Sequence, residues 1–314
     1  MNAAINIRSR KRLTLIFLFP VLFFATGCGQ GQRPAVREQE QPSGKGSTTV
    51  NKAKPSAEKL VKQWETPAVF KTPESVCYDP ERKQIYVSNI NGKASQKDGN
   101  GFISLLNPDG TVKTLEWITG LNAPKGLGIY DHDLYVGDID RVICIDIDRG
   151  IIIDKYQAPG ASFLNDIAID GDGKVYISDT GNHRVYILKN GEVSVYLDSE
   201  KIAGANGLFV EDSTLLIGTN DAVYRVTLGD RDPVPYIENT GSIDGLEGVG
   251  HGRYLYSDWQ GHVYLAEPGR APDMLLDTTP HKINAADIDY VATLKLLLIP
   301  TFSDNRVMAY EVIL

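Results

Sequence analysis

From Glu74 onward the chain repeats itself, and a repeat of this length restricts the fold more than any other feature of the sequence. Six copies of one pattern follow each other: a polar or small residue, an alternating apolar strand, a turn rich in Asp or Gly, and a second strand ending near Asp or Asn. The copies begin ESVCYDPERKQIYVSN at Glu74, KGLGIYDHDLYVGD at Lys125, NDIAIDGDGKVYISD at Asn165, NGLFVEDSTLLIGT at Asn206, DGLEGVGHGRYLYSD at Asp244 and ADIDYVATLKLLLIPT at Ala286. The spacings between these starts are 51, 40, 41, 38 and 42 residues. A period of about 40 residues is the length of one four-stranded propeller blade. The sequence therefore predicts an all-β, six-bladed β-propeller over residues 59–314. A β-sandwich also has short, evenly spaced strands, but its strands recur without this superperiod. The end NRVMAYEVIL supplies a third strand to the last blade and leaves nothing for a fourth. The strand-like KQWETPAVF ahead of Glu74 fills that place, so an N-terminal strand closes the ring.

Residues ahead of the repeat read differently. A basic stretch through Arg12 precedes the apolar run Leu13–Thr26, whose 14 residues include Pro20. That length fits the apolar region of a signal peptide better than a spanning helix. Ala25-Thr26-Gly27-Cys28 resembles a bacterial lipoprotein box, which implies a signal peptide over 1–27, lipidation of Cys28 and a lipid-anchored protein of the bacterial cell envelope, facing the periplasm or the cell surface. Residues 28–58 are rich in Gln, Gly, Ser, Pro and Lys and almost devoid of large apolar side chains, the composition of a flexible tether.

Charge limits the partners. The whole chain carries 32 Lys and Arg against 40 Asp and Glu, and setting aside the leader's four cations and the tether's five cations and three acids leaves residues 59–314 at −14. An acidic body repels phosphate backbones, so nucleic acid is excluded as a partner class. With Cys28 lipidated, Cys77 and Cys144 remain; each sits in a strand pattern in a different repeat and reads as a small buried thiol. The chain has no GxxxxGK[ST], no strand-linked GxGxxG and no GxSxG, which argues against nucleotide binding and serine-hydrolase chemistry.

The first strand of each blade lines the channel of a propeller, so residues at equal phase form a ring: Glu74, Lys125, Asn165, Asn206, Asp244 and Ala286. Two carboxylates and two amides offer the hard oxygen ligands that suit a divalent cation such as Ca²⁺. The competing reading is turn chemistry, because Asn-Gly, Asp-Gly and Asn-Asp are ordinary turn dipeptides. Glu74 within Pro-Glu-Ser is what that reading does not explain.

With these residues at blade intervals, the chain resembles the gluconolactonase and regucalcin (senescence marker protein) family and, more distantly, paraoxonase. The resemblance implies a divalent cation, Ca²⁺ first and Zn²⁺ or Mg²⁺ as alternatives, held by Glu74, Asn206 and Asp244 at the channel mouth. It further implies substrate contacts from Asn165 and Asp166, within Phe-Leu-Asn-Asp, and a monomer acting on a small lactone or ester. In that scheme Asp244 is the base and Lys125 stabilises the oxyanion or balances the acidic ring. The family's substrate-binding Arg falls on Phe163, and the second-blade His of paraoxonase-like members falls on Lys125. A non-catalytic propeller that binds a protein or ligand, with a structural metal, is the alternative. DTGNHRVYIL, residues 179–188, resembles an NHL repeat; His183 there is a candidate substrate contact, and the long Asn89–Gly101 loop is a candidate lid.

Overall fold

Alternating apolar residues build six four-stranded antiparallel sheets, as expected of a six-bladed propeller; the computed structural model describes residues 59–314. The signal peptide, Cys28 and the tether lie outside the described residues. Blade 1 comprises the strands Pro73–Asp79, Gln84–Asn89, Gly101–Leu106 and Val112–Leu121, ordered from the channel outward, and blades 2 to 5 repeat that order. Blade 6 has only Asp289–Val291, Leu296–Pro300 and Val307–Ile313 from the C-terminal end, and Lys59–Glu65 completes it by pairing antiparallel with Val307–Ile313. The closing strand is shorter and earlier than the sequence pattern suggests. It ends at Glu65, because Pro67 has no N–H to give a ladder, and Phe70 instead turns into the core. Helical structure among the described residues is confined to three short 3₁₀ turns.

Apolar cores lie at the blade interfaces. Tyr86, Ile103, Leu127 and Val136 join blades 1 and 2, and Tyr176, Val185, Leu208 and Leu215 join blades 3 and 4. Phe70, Val87, Leu298 and Val307 seal blade 1 against blade 6, so the ring is closed by packing as well as by the shared sheet. Cys144 is a buried free thiol; Cys77 is free and only half-buried.

A second device recurs at the top of the blades and sets the ring residues in place. The last residue of the second strand turns its side chain back to the loop that precedes the first strand. In blade 3, Asp179 accepts from Ser162 N at 3.1 Å, Phe163 N at 3.0 Å and Gly181 N at 3.2 Å. In blade 2, Asp138 accepts from Ala123 N at 2.8 Å and Asn122 N at 3.1 Å, and in blade 1 Asn89 Oδ1 accepts from Lys71 N at 2.9 Å. One residue earlier, Ser88, Ser178 and Ser257 each accept, at 2.9 Å, from the backbone N–H just past the ring residue of their own blade. Strand beginnings crowd the axis so closely that a Cβ on Gly126 would sit 2.5 Å from Asn165 O, and one on Gly207 would sit 2.6 Å from Asp244 O.

Asp179→Ala should therefore remove several loop hydrogen bonds at once, from donors that are half-buried or exposed, and cost about 2 kcal/mol in urea denaturation. A loss below about 1 kcal/mol would mean that these bonds do not hold the blade-3 loop.

Candidate metal and ester site at the channel mouth

Five of the six ring residues, Glu74, Lys125, Asn165, Asn206 and Asp244, line one pocket of about 170 Å³ at the top of the channel. The lead-in loops bring them there, and the lines of backbone hydrogen bonds just described fix their height. The sixth position, Ala286, is buried and offers only its carbonyl, which accepts from Ser257 Oγ at 2.7 Å. Ile90, Ala94, Phe163, Ser242, Ile243, Trp259 and Phe302 complete the wall. A larger groove of about 600 Å³ lies between blades 3 and 4, but no ring residue lines it.

The pocket floor holds acceptors in search of a donor. Glu74 Oε2 and Asn206 Oδ1 are buried without a hydrogen-bond partner. Asn206 Nδ2 donates to Asp244 Oδ1 at 2.7 Å, which orients the amide so that its oxygen is the free end. Asn165 Nδ2 donates to Thr180 Oγ1 at 3.1 Å, and that hydroxyl donates its own proton to Ala205 O at 2.8 Å. Lys125 is 1% exposed; its Nζ donates to Ala94 O at 3.0 Å and Ala123 O at 3.1 Å and stands 4.3 Å from the centre of the Phe163 ring. Burial pushes its ammonium pKa down, against the pull of Glu74 and Asp138. Phe163 thus serves as a face for this ammonium.

Carboxyls continue below the floor. Asp166 lies one residue deeper than Asn165, outside the pocket lining, and its two oxygens accept from Ile167 N and Leu208 N, each at 2.6 Å. Asp287 N donates to Glu74 O at 3.0 Å, so Asp287 is the neighbour of Glu74 across the seam of blades 6 and 1. Further down, Asp289 Oδ2 accepts from Tyr78 N at 2.6 Å. Burial raises the pKa of all these groups: Asp166 and Asp244 to about 7, Asp289 to about 6, and Glu74, Glu247 and Asp287 well above the ordinary carboxylate range. For Glu74 the Asp244 carboxylate adds to the effect of burial, and for Asp287 the Asp166 carboxylate does so.

His183 stands elsewhere. It occupies the turn before Arg184 with φ 55°, and its Nδ1 accepts from Gly204 N at 3.1 Å, so its ring pins the blade-4 loop and does not line the pocket. The Asn89–Gly101 loop contributes Ile90 and Ala94 to the pocket wall, and Lys97 Nζ ties it to Asp140 Oδ2 at 2.5 Å. Alignment on strand beginnings does not reach Trp259 or Phe302. Alignment on strand ends does: Ile90, Ile139, Thr180, Asn220, Trp259 and Phe302 each directly follow the last residue of a second strand or its equivalent, and three of them line the pocket.

No three His, Cys, Asp or Glu side chains come together as a metal-ligand group among the described residues. The convergent set is instead the carboxylates of Glu74 and Asp244 with the amides of Asn165 and Asn206. Residues 162–188 match the NHL repeat, within blade 3. A search of curated protein sequences finds no match. Among solved structures the chain is similar to a catalytically inactive variant of virginiamycin B lyase from Staphylococcus aureus with quinupristin, at 14% identity and a TM-score of 0.57, covering 82% of this chain and 100% of that one. It is similar as well to a streptogramin B lyase, at 13% identity and TM-score 0.58 over 82% of this chain and 97% of that one. The WD40 β-propeller domain of Doa1 matches at 13% identity and TM-score 0.58, over 81% of this chain and 93% of that one. At these identities the shared property is the propeller fold.

The raised carboxyls predict how stability depends on pH. A carboxyl with a higher pKa folded than unfolded holds its proton more tightly in the native state. The stability it contributes is whole below about pH 4 and drains away as pH rises through the folded value. In chelator, the melting temperature should fall between pH 5 and pH 8, as Asp166 and Asp244 pass about 7. A curve that is flat or rises across that interval would contradict the buried-carboxyl account.

Proposed function

We propose that the channel mouth holds a divalent cation, Ca²⁺ foremost, and hydrolyses a small lactone or ester. The observation that carries this reading is the pair of orphaned buried acceptors, Glu74 Oε2 and Asn206 Oδ1, beside the Asp244 carboxylate. A buried acceptor without a donor costs about 1–3 kcal/mol, a penalty that a hard cation with oxygen ligands removes. Glu74, Asn206 and Asp244 would hold the ion, with Asn165 beside them. When bound, such an ion polarises a carbonyl and stabilises the charge that develops on its oxygen.

The chain's own residues supply the other parts. Asp244 has one oxygen committed to Asn206 and the other available to take a proton from attacking water. Burial raises its pKa to about 7 in the ion-free site, and a bound cation would lower it and keep the carboxylate ionised to act as base. Lys125, tethered by two carbonyls and seated on Phe163, holds a fixed positive charge beside Glu74 and the carbonyl-binding region. The apolar side chains of Ile90, Phe163, Ile243, Trp259 and Phe302 around the pocket lower the local polarity and so strengthen each of these interactions. His183 has no part in this scheme. The reading extends to place: a lipidated Cys28 would hold this monomeric domain at the bacterial envelope, where small esters and lactones reach it.

The test is a panel of lactones and esters, with quinupristin included because one structural neighbour carries it. Assays run with Ca²⁺, Mg²⁺, Zn²⁺ or chelator, in ¹⁸O-labelled water. Cation-dependent turnover with label in the new carboxylate is expected, and Asp244→Ala should lower it by about 100-fold or more. Product without label would assign a lyase reaction instead, and full activity in Asp244→Ala would overturn the base assignment. A saturating thermal shift with no turnover on the whole panel would leave a metal-stabilised binding propeller.

A further inference from the structure

The ring accounts for the floor of the pocket but not for its roof. Trp259 and Phe302 overhang it from blades 5 and 6. Trp259 is 50% exposed, and Phe302 meets it edge-on with ring centres 5.5 Å apart at 78°. An exposed Trp on a loop is ordinary by itself. This one is held in place from several directions.

Asn284, 9% exposed, bridges the two loops: its Nδ2 donates to Trp259 O at 2.8 Å and its Oδ1 accepts from Ser303 N at 3.3 Å. Phe302 sits at φ 46°, in the left-handed region that a bulky side chain avoids, as does Ile139 at the equivalent point of blade 2 (φ 59°). Three residues on, Asn305 Oδ1 accepts from Thr72 N at 2.8 Å, two positions ahead of Glu74. The aromatic corner is thereby tied to the loop that carries a floor residue. Ile90, Phe163 and Ile243 line the same pocket, and Phe302 packs against the cluster of Ile90, Ala123 and Ile139.

We infer that the Trp259–Phe302 corner is the specificity-determining wall of the channel mouth, and that it takes a planar apolar ring attached close to the carbonyl or carboxylate group. This rests on the reading above only in letting that oxygen group face Glu74, Asn206 and Asp244. The chemistry selects against a polyhydroxylated, sugar-like body. Its hydroxyls would give up water for the carbon surfaces of Ile90, Phe163 and Ile243, and a hydroxyl buried without a partner is costly. A flat apolar ring gains instead, lying on the Trp259 face with Phe302 fixing the angle of that face.

The experiment separates this wall from the proposed reaction by reading binding alone. The full chain with Ca²⁺ is titrated with phenylacetate, acetate and gluconate, followed by calorimetry and by the Trp fluorescence. Phenylacetate should bind about tenfold tighter than either of the others, and Trp259→Ala should remove about five- to tenfold of that preference. Trp259→Phe should restore most of it, which also controls for misfolding. Asn206→Ala should weaken all three carboxylates alike and leave their ranking intact. Phenylacetate selectivity that depends on Trp259, in a protein inactive on every lactone, would keep the wall while the hydrolase reading fails. Gluconate binding as tightly as phenylacetate, or an unchanged ranking in Trp259→Ala, would overturn the inference.

Discussion

Six strands that begin at one axis leave almost no room between them, and that crowding decides what the channel can contain. At Gly126, Gly207 and Gly245 a side chain would collide with the backbone of the next blade. Beside them, and among Asn165, Asn206 and Ala286, stand the carboxyls of Glu74, Asp166, Asp244, Glu247, Asp287 and Asp289, with Lys125 as a buried cation. Carboxyls packed this tightly cannot all ionise unless something positive joins them. They hold protons, or they hold a cation, and the choice is set by pH and by the ions present.

What keeps the carboxyls in place is ordinary hydrogen bonding repeated around the ring. Asn89, Asp138 and Asp179 brace the loops ahead of the first strands, and Ser88, Ser178 and Ser257 fix the residues just beyond the ring positions. The bracing commits side-chain acceptors to backbone donors. Glu74 and Asn206 are left with oxygens that no protein donor reaches. A site that satisfied every group internally would have no affinity left for an ion or a substrate.

The period and the phase of the repeat make the fold legible, including the ring closed by an N-terminal strand, because blade length is a property of the chain itself. The same phase locates Glu74, Lys125, Asn165, Asn206 and Asp244, which do share a pocket. His183 misleads, because a turn residue next to the ring face can point sideways as readily as inward, and here its ring caps Gly204 N. Asp287 escapes a sequence reading because the ring residue before it, Ala286, is apolar and draws no attention to that strand. Trp259 and Phe302 depend on how far each turn rises over the channel, and on a backbone conformation at Phe302 that its residue type disfavours. The end-of-strand phase groups them with Ile90, but only packing shows that these three converge while Thr180 and Asn220 serve other contacts.

The most direct measurement of the central claim is anomalous diffraction from crystals soaked in Mn²⁺ or Ca²⁺ near pH 8, above the value of about 7 to which burial raises Asp244. The account predicts a single strong peak at the channel mouth, about 2.3–2.6 Å from Glu74 Oε2, Asn206 Oδ1 and an Asp244 oxygen for Ca²⁺. Density for water alone at that point, with Glu74 and Asp244 sharing a proton at saturating cation, would contradict it.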